Sequence, residues 1–286
     1  MTIQSGETMR DEASIDSVAG RASVYECDCT VVDNIPVNTE YRHLILKAPK
    51  AGLDITPGQF FHLLCPPVGD SVSYLRRPMS IYHFDKEAGR IEFLYKVHGK
   101  GTHAMATLVC GDKFNIVGPL GKGFWIDDKW QNLVLVARGV GLATLAPLAR
   151  YAAVRGKKLT AICSARSPEV LMSQDLFRTY GAEVICVTDH DGSSSVENLE
   201  GIINDLINDQ GIDSFYTCGS NRILKLLQRI CLDHGIAGQI ALEQQMACGI
   251  GMCFCCVRSF NVDSKIVHRR VCCEGPVFDL QEAQPW

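Results

Sequence analysis

Six cysteines fall between Cys248 and Cys273, in the order Cys248-Gly-Ile-Gly-Met-Cys253-Phe-Cys255-Cys256, then fifteen residues, then Cys272-Cys273. Taken as Cys248, Cys253 and Cys256, the spacing is C-x4-C-x2-C with a distant fourth cysteine, as in plant-type [2Fe–2S] ligation. Such a site forces the chain to close one tight turn with its thiolates converging. Gly249 and Gly251 let backbone N–H groups approach the sulfurs. The rival reading is structural zinc on Cys253-x2-Cys256 and two further cysteines, although zinc sites usually pair two short knuckles. Adjacent side chains point differently, so Cys272 is the expected fourth ligand, with Cys255 and Cys273 as bystanders.

The chain holds 14 cysteines in all, with no apolar stretch near residue 1, so a disulfide framework is not expected. The other eight, Cys27, Cys29, Cys65, Cys110, Cys163, Cys186, Cys218 and Cys231, sit in apolar runs and are expected as small buried hydrophobes in a reducing, cytoplasmic setting. A formal charge of −4 gives no excess of positive charge for nucleic acid or for a membrane surface. The most apolar segment, residues 132–154, is broken by Arg138, Gly139, Gly141, Pro147 and Arg150, so no membrane span is expected.

Residues 1–21 are polar and Ser-rich and are expected as a flexible tail, with order beginning near Ala22. Residues 22–127 read as six short β-rich runs punctuated by turns, which predicts a small antiparallel barrel. Residues 128–239 alternate apolar strands with helical patterns, which predicts a mostly parallel α/β sheet with right-handed crossovers. Residues 240–286 form the cysteine-dense final segment. One helix is expected over residues 168–181.

Two motifs in the β-rich part suit a pyrophosphate. Arg77-Pro78-Met79-Ser80 sets a guanidinium and a hydroxyl beside a rigid proline, and a loop after Leu94-Tyr95-Lys96 carries Gly99-x-Gly101-Thr102 with backbone N–H donors. Each taken singly is equally a charged turn or an ordinary glycine loop. In the α/β part Gly139-x-Gly141 lies where a strand turns into a helix, facing any phosphate placed there. Cys218-Gly219 ends another strand, at the edge where open α/β sheets bind ligands. Tight packing and a buried thiol are the plainer readings of these two. Asp189, His190 and Asp191 precede Gly192 and are expected as a solvated turn.

Arg77-Pro78-Met79-Ser80, Gly101-Thr102, Gly118-Pro-Leu-Gly121, Gly139-x-Gly141, Cys218-Gly219, Met246-Ala-Cys248 and Gly275-Pro-Val-Phe278 occur in one order. Together they resemble the ferredoxin-reductase superfamily and, within it, the electron-transfer subunits of class 1B dihydroorotate dehydrogenase, over nearly the whole chain after the tail. The resemblance implies FAD held by Arg77 to Ser80, Leu94 to Lys96 and Gly101-Thr102. It implies NAD(P)H at Gly139, Gly141, Cys218 and Gly219, and a [2Fe–2S] cluster on Cys248, Cys253, Cys256 and Cys272. It also implies an FMN-containing catalytic partner in a heterotetramer. The chain departs from that pattern at Ala137, Arg138, Thr144 and Ser220, and Arg138 either pairs with a phosphate or obstructs the loop.

A nicotinamide delivers two electrons as a hydride while a [2Fe–2S] cluster takes one at a time, so a flavin between them is chemically coherent. The order expected is NAD(P)H, FAD, cluster, partner subunit, reversible in direction. No catalytic triad or carboxylate pair is expected. Arg166 follows the second strand of the α/β part, where a basic residue favours a 2′-phosphate. Two alternatives stand beside this reading. One is the small subunit of an NADH-dependent ferredoxin:NADP oxidoreductase or a related flavin complex, and the other is a zinc-stabilised docking protein without redox activity.

Overall fold

A computed structural model describes residues 23–69 and 73–286; the expected tail and the onset of order at Ala22 lie outside the described residues. The first part forms seven strands, β1 (Tyr25–Pro36), β2 (Tyr41–Lys47), β3 (Phe60–Leu63), β4 (Arg77–Ser80), β5 (His83–Asp85), β6 (Arg90–Lys96) and β7 (Lys113–Leu120). They make one antiparallel sheet in the order β4-β3-β7-β1-β2-β6-β5. Alternate residues turn inward, so that Cys27, Cys29 and Val31 of β1 meet Leu44, Phe61, Phe93 and Ile116 in one core. Seven strands replace the six runs expected, because the run 79–84 breaks at Ile81 and Tyr82 into β4 and β5. The expected Gly-x-Gly-Thr loop is also corrected: Gly99–Met105 is a short helix, α1. Its first turn is fastened by the Thr102 hydroxyl, which accepts the His98 N–H and donates to the His98 carbonyl, both at 2.6 Å.

The second part has parallel strands β8 (Asn132–Arg138), β9 (Lys158–Ala165), β10 (Glu183–Thr188), β11 (Ser214–Cys218) and β12 (Ala237–Ala241). They are joined by helices α2 (Gly141–Val154), α3 (Gln174–Thr179), α4 (Val196–Gln210) and α5 (Asn221–His234). The sheet order β10-β9-β8-β11-β12 reverses between β8 and β11. That reversal is a topological switch point, with a crevice beyond the strands' carboxyl ends. The two faces follow the period of two. Val134 and Val136 of β8 pack on the α4 and α5 side with Ile203 and Leu227, while Leu133, Leu135 and Ala137 pack on the α2 side with Leu145 and Ala149. Each fully buried leucine here contributes about 2 kcal/mol of transfer free energy. Ser220 caps α5 by accepting the Ile223 N–H, and Gly235 ends it in the left-handed conformation. The helix expected over 168–181 is instead a 3-10 turn at Pro168–Val170 and the short α3, because Ser173 takes φ 65° and interrupts the run.

The final segment builds the hairpin β13 (Val257–Val262) and β14 (Lys265–Arg270), the turn α6 (Val271–Glu274) and β15 (Val277–Asp279). β15 pairs antiparallel with β12, so this segment returns into the second sheet. Phe260, Val271, Cys272 and Phe278 share the core of α4 and α5. All fourteen cysteines are free thiols. Of the eight outside the cluster region, Cys110 and Cys186 are exposed, against expectation. Cys110 lies in the turn after α1, and Cys186 is on the edge strand β10, where its thiol reaches Gln174. Among the described residues no helix is long and apolar enough to cross a membrane.

Candidate functional site

Three of the expected site regions converge on one cavity of about 260 Å³ between the barrel and the α/β part. β4 brings Pro78, Met79 and Ser80 to its wall, and β6 brings Leu94, Tyr95 and Lys96. Val140 and Thr144 at the start of α2 face them, and Glu243 and Met246 close the floor. An open groove of about 970 Å³ continues from it past Arg76, Arg77, Arg258 and Trp286, sharing Pro78, Glu243 and Met246. Apolar walls and an arginine rim fit a flat ring system with an attached pyrophosphate, the shape and charge of a flavin dinucleotide. Arg77 lies over Gly101, where a Cβ would come within 2.9 Å of its Nε. Two pieces of the expected FAD set therefore meet there. Thr102 and Tyr95 differ, because their hydroxyls are taken: Thr102 by His98, and Tyr95 by Asn34 Oδ1 at 3.0 Å. Burial pushes the Tyr95 phenol up to about 12.

Lys96 crosses to Glu40 at 2.7 Å, and Glu40 also pairs with Arg166 from the α/β part. Both hydrogen bonds hold the Glu40 carboxyl below its ordinary range, Lys96 foremost. Arg166, expected at a nucleotide phosphate, is thus a link between the two parts.

At the switch point the glycine loop is tightly engaged. The Gly139 N–H donates to Ser164 O at 3.0 Å. A Cβ on Gly141 would lie 2.6 Å from Cys218 O, so only glycine lets α2 start against β11. Cys218 is buried with its thiol 3.5 Å from Thr144 Oγ1, and burial pushes it strongly up. Arg138 makes a two-pronged pair with Asp189, at 3.0 and 2.5 Å, and donates to Ser164 Oγ at 3.2 Å. Arg222 stands 3.8 Å from the same carboxylate. Asp189 is therefore the partner of two arginines, not part of a merely solvated turn, and Arg138 above all holds its carboxyl below the usual range.

In the cysteine loop, Cys248 Sγ accepts the N–H groups of Met252 at 3.3 Å and Cys253 at 3.4 Å. Burial opposes its thiolate, yet the N–H groups of Ile250, Cys253 and Met252 outweigh that and bring the thiol down to about 6. Cys253 is its neighbour. Cys256 Sγ accepts the Cys272 N–H at 3.4 Å, and burial, then Cys256, push the Cys272 thiol up. The four expected ligands thus stand as two neighbouring pairs; among the described residues no group of three metal-ligating side chains meets. Cys255 points to Gln245 O at 3.8 Å, and Cys273 lies under Gly251. Free thiols, N–H donors on a low-lying thiolate and glycines beneath them fit an iron–sulfur cluster.

Sequence reasoning missed His62 and Glu243. His62 of β3 is buried against Gly249, where a Cβ would be 2.7 Å from its Cε1, and its Nε2 has no partner among the described residues. Burial lowers its pKa to about 4, so it is neutral. A histidine inside an apolar strand gives no local signal of such a neighbour. Glu243 had one faint signal, an acid two residues past the end of strand β12.

Comparison with known proteins agrees with this geometry. Residues 26–125 match the family model of the oxidoreductase FAD-binding domain. Residues 243–284 match that of the iron–sulfur cluster binding domain of dihydroorotate dehydrogenase B. The dihydroorotate dehydrogenase B (NAD(+)) electron transfer subunit of Streptococcus pneumoniae is 35% identical over 224 residues, 77% of this chain and 84% of that one. Its counterpart in Desulforamulus reducens is 30% identical over 262 residues, 90% of this chain and 97% of that one. Among solved structures, an NADH-dependent reduced ferredoxin-NADP oxidoreductase superposes with TM-score 0.76 at 25% identity, covering 90% of each chain. The ferredoxin-NADP+ reductase of Plasmodium falciparum, at TM-score 0.59 and 14% identity over 73% of this chain and 90% of that one, shares the fold. FAD and an iron–sulfur cluster, rather than zinc, are the groups these regions hold.

Proposed function

This chain belongs to the family of dihydroorotate dehydrogenase B electron transfer subunits, and from that premise we propose that it carries electrons between a nicotinamide nucleotide and a catalytic dihydroorotate dehydrogenase subunit. The observation that carries this reading is the single cavity where the barrel, the start of α2 and the run leading into Cys248 meet. Bound FAD supplies the exchange between a hydride and single electrons, and the [2Fe–2S] cluster supplies one-electron carriage.

In this reading Arg77 to Ser80, Leu94 to Lys96 and Gly101-Thr102 hold FAD, with the Arg77 guanidinium on its phosphates. Gly139, Gly141, Cys218 and Gly219 form the nucleotide edge, and Cys248, Cys253, Cys256 and Cys272 hold the cluster. Residues 22–127, 128–239 and 240–286 divide these tasks. The exit to the partner is the loop tip, where Ile250, Met252 and Phe254 are 54, 74 and 63% exposed beside Cys253, an apolar patch suited to a subunit interface. The relatives' name specifies NAD(+), so NAD+ is the proposed final acceptor, in a cytoplasmic heterotetramer of two pairs. Free thiols at every cysteine suit that compartment.

A second reading, the small subunit of an NADH-dependent ferredoxin-NADP oxidoreductase, is favoured by the superposition over 90% of both chains. Purification from native cells with the partner attached separates the two. The expected result is an FMN-containing partner and dihydroorotate-dependent reduction of NAD+. A partner that instead couples NADPH to ferredoxin establishes the second reading.

A further inference from the structure

His62 of β3 is 1% exposed, and its Nε2 has no hydrogen-bond partner among the described residues. Burial keeps the ring neutral, so it carries one N–H and one lone pair. Two neighbours define its setting. Phe60, two residues earlier on the same face of β3, packs against it with ring centroids 5.7 Å apart, and Phe60 itself lines the enclosed cavity. The N–C–N edge of the imidazole meets the cysteine loop. A Cβ on Gly249 would lie 2.7 Å from Cε1, 2.8 Å from Nε2 and 3.0 Å from Nδ1. Gly249 directly follows Cys248. The backbone of His62 is held in place, with Pro78 opposite it in β4 and the Arg76 guanidinium donating to its carbonyl at 3.4 Å. The cavity wall and the cysteine loop therefore meet through two side chains of one strand.

A buried nitrogen without a partner is rare in a folded protein and calls for a specific reason. The side of the loop that His62 meets is the side of a sulfur acceptor, Cys248, whose N–H donors among the described residues all come from its own loop. We propose that His62 is a positioning residue for the iron–sulfur group: its Nε2–H, carried on the barrel, donates to the sulfur on the Cys248 side of the cluster, and its ring seats the Gly249 turn. Donors to the sulfurs stabilise the reduced, more negative form and so raise the reduction potential. The barrel that holds FAD thereby sets how readily the cluster accepts an electron. The inference rests on the ligand assignment proposed above and deepens it.

The test compares the full chain, loaded with FAD and cluster, with His62→Phe, which keeps a ring and removes the N–H, and His62→Gln, which restores an N–H of similar reach. An EPR-monitored redox titration reads the cluster midpoint. Pulsed EPR on protein whose histidines carry heavy nitrogen reads the coupling of a histidine nitrogen to the reduced cluster. The wild type is expected to show that coupling, and its absence there overturns the proposal. In His62→Phe the coupling vanishes, and the ratio of reduced to oxidised cluster at the wild-type midpoint falls about tenfold, a shift of about 59 mV for one electron. In His62→Gln the ratio returns to within about threefold of the wild type. An unchanged midpoint and coupling in His62→Phe overturns the proposal, as does an equal shift in both variants. Should His62→Phe fail to hold its cluster, His62→Gln decides alone: a loaded cluster with that near-wild-type ratio supports the proposal, and loss of iron or the full shift overturns it. Cys248→Ser with an iron assay tests the ligand assignment separately. Full iron there strikes that assignment, while the nitrogen coupling still decides for or against His62.

Discussion

The cysteine loop and the glycine loop are both tight turns at the end of a strand, and both offer backbone donors to a charged group. In the cysteine loop those donors face a proposed ligand atom: Cys248 Sγ receives the N–H groups of Met252 and Cys253, and no cysteine is in a disulfide. At the nucleotide edge the groups are engaged inside the protein. Gly139 N–H binds Ser164, Arg138 binds Asp189, and Cys218 binds Thr144. The first loop leaves its donors on thiol sulfurs, while the second is closed on itself. Donor residues in a sequence show what a turn offers, but only the partners in space show what it has left to give.

The comparison breaks most completely at Cys253. Replacing it by serine removes one thiolate of the proposed ligand set, so the expected outcome is loss of the cluster absorbance and of all electron transfer to the partner subunit, with FAD still bound. Retained transfer in Cys253→Ser would contradict the wiring. A smaller effect is expected at Gly249, whose φ of 70° and whose contact with His62 leave no room for a side chain. Gly249→Ala should shift the loop by a few tenths of an ångström or more and lower the iron content per chain several-fold, measured by iron assay against flavin. Full iron occupancy would show that the loop bends freely.

The smallest effect sharpens the other side. Asp189→Asn releases Arg138, and NADH titration is expected to show binding several-fold tighter, because the guanidinium no longer has to leave a carboxylate. Weaker binding would mean that Asp189 itself touches the nucleotide. The same variant carries a pH signature. The folded-state pKa of Asp189 is depressed below 3.8, so its stabilising effect is complete above that value and is lost as pH falls through the folded pKa. The melting-temperature difference between wild type and Asp189→Asn should therefore shrink below about pH 4.

Much of this was legible in the chain. The period-two runs and the strand–glycine–helix junctions are local patterns, and they predicted both sheets correctly apart from the split of 79–84 into two strands and the helical turn at Gly99. Those two misses have different causes. Ile81 answers to a barrel core that no short window contains, whereas Thr102 bonds the His98 backbone only four residues away and winds the glycine run into a helical turn. The eight scattered cysteines were assigned to the core on apolar context alone, and Cys110 and Cys186 escaped because a turn and a sheet edge face outward whatever their composition. His62 was invisible because its neighbour, Gly249, lies far along the chain.

The sequence by itself determined the iron–sulfur character of the cysteine-dense segment, the strand–helix alternation and the family resemblance, because these depend on residue type and short spacing. Tertiary structure decided that Arg138 faces Asp189, that Arg166 joins the two parts through Glu40, and that Glu243 lines the cavity where three regions meet. A charge acquires its role from its partners across space, and those are fixed only when the sheets pack.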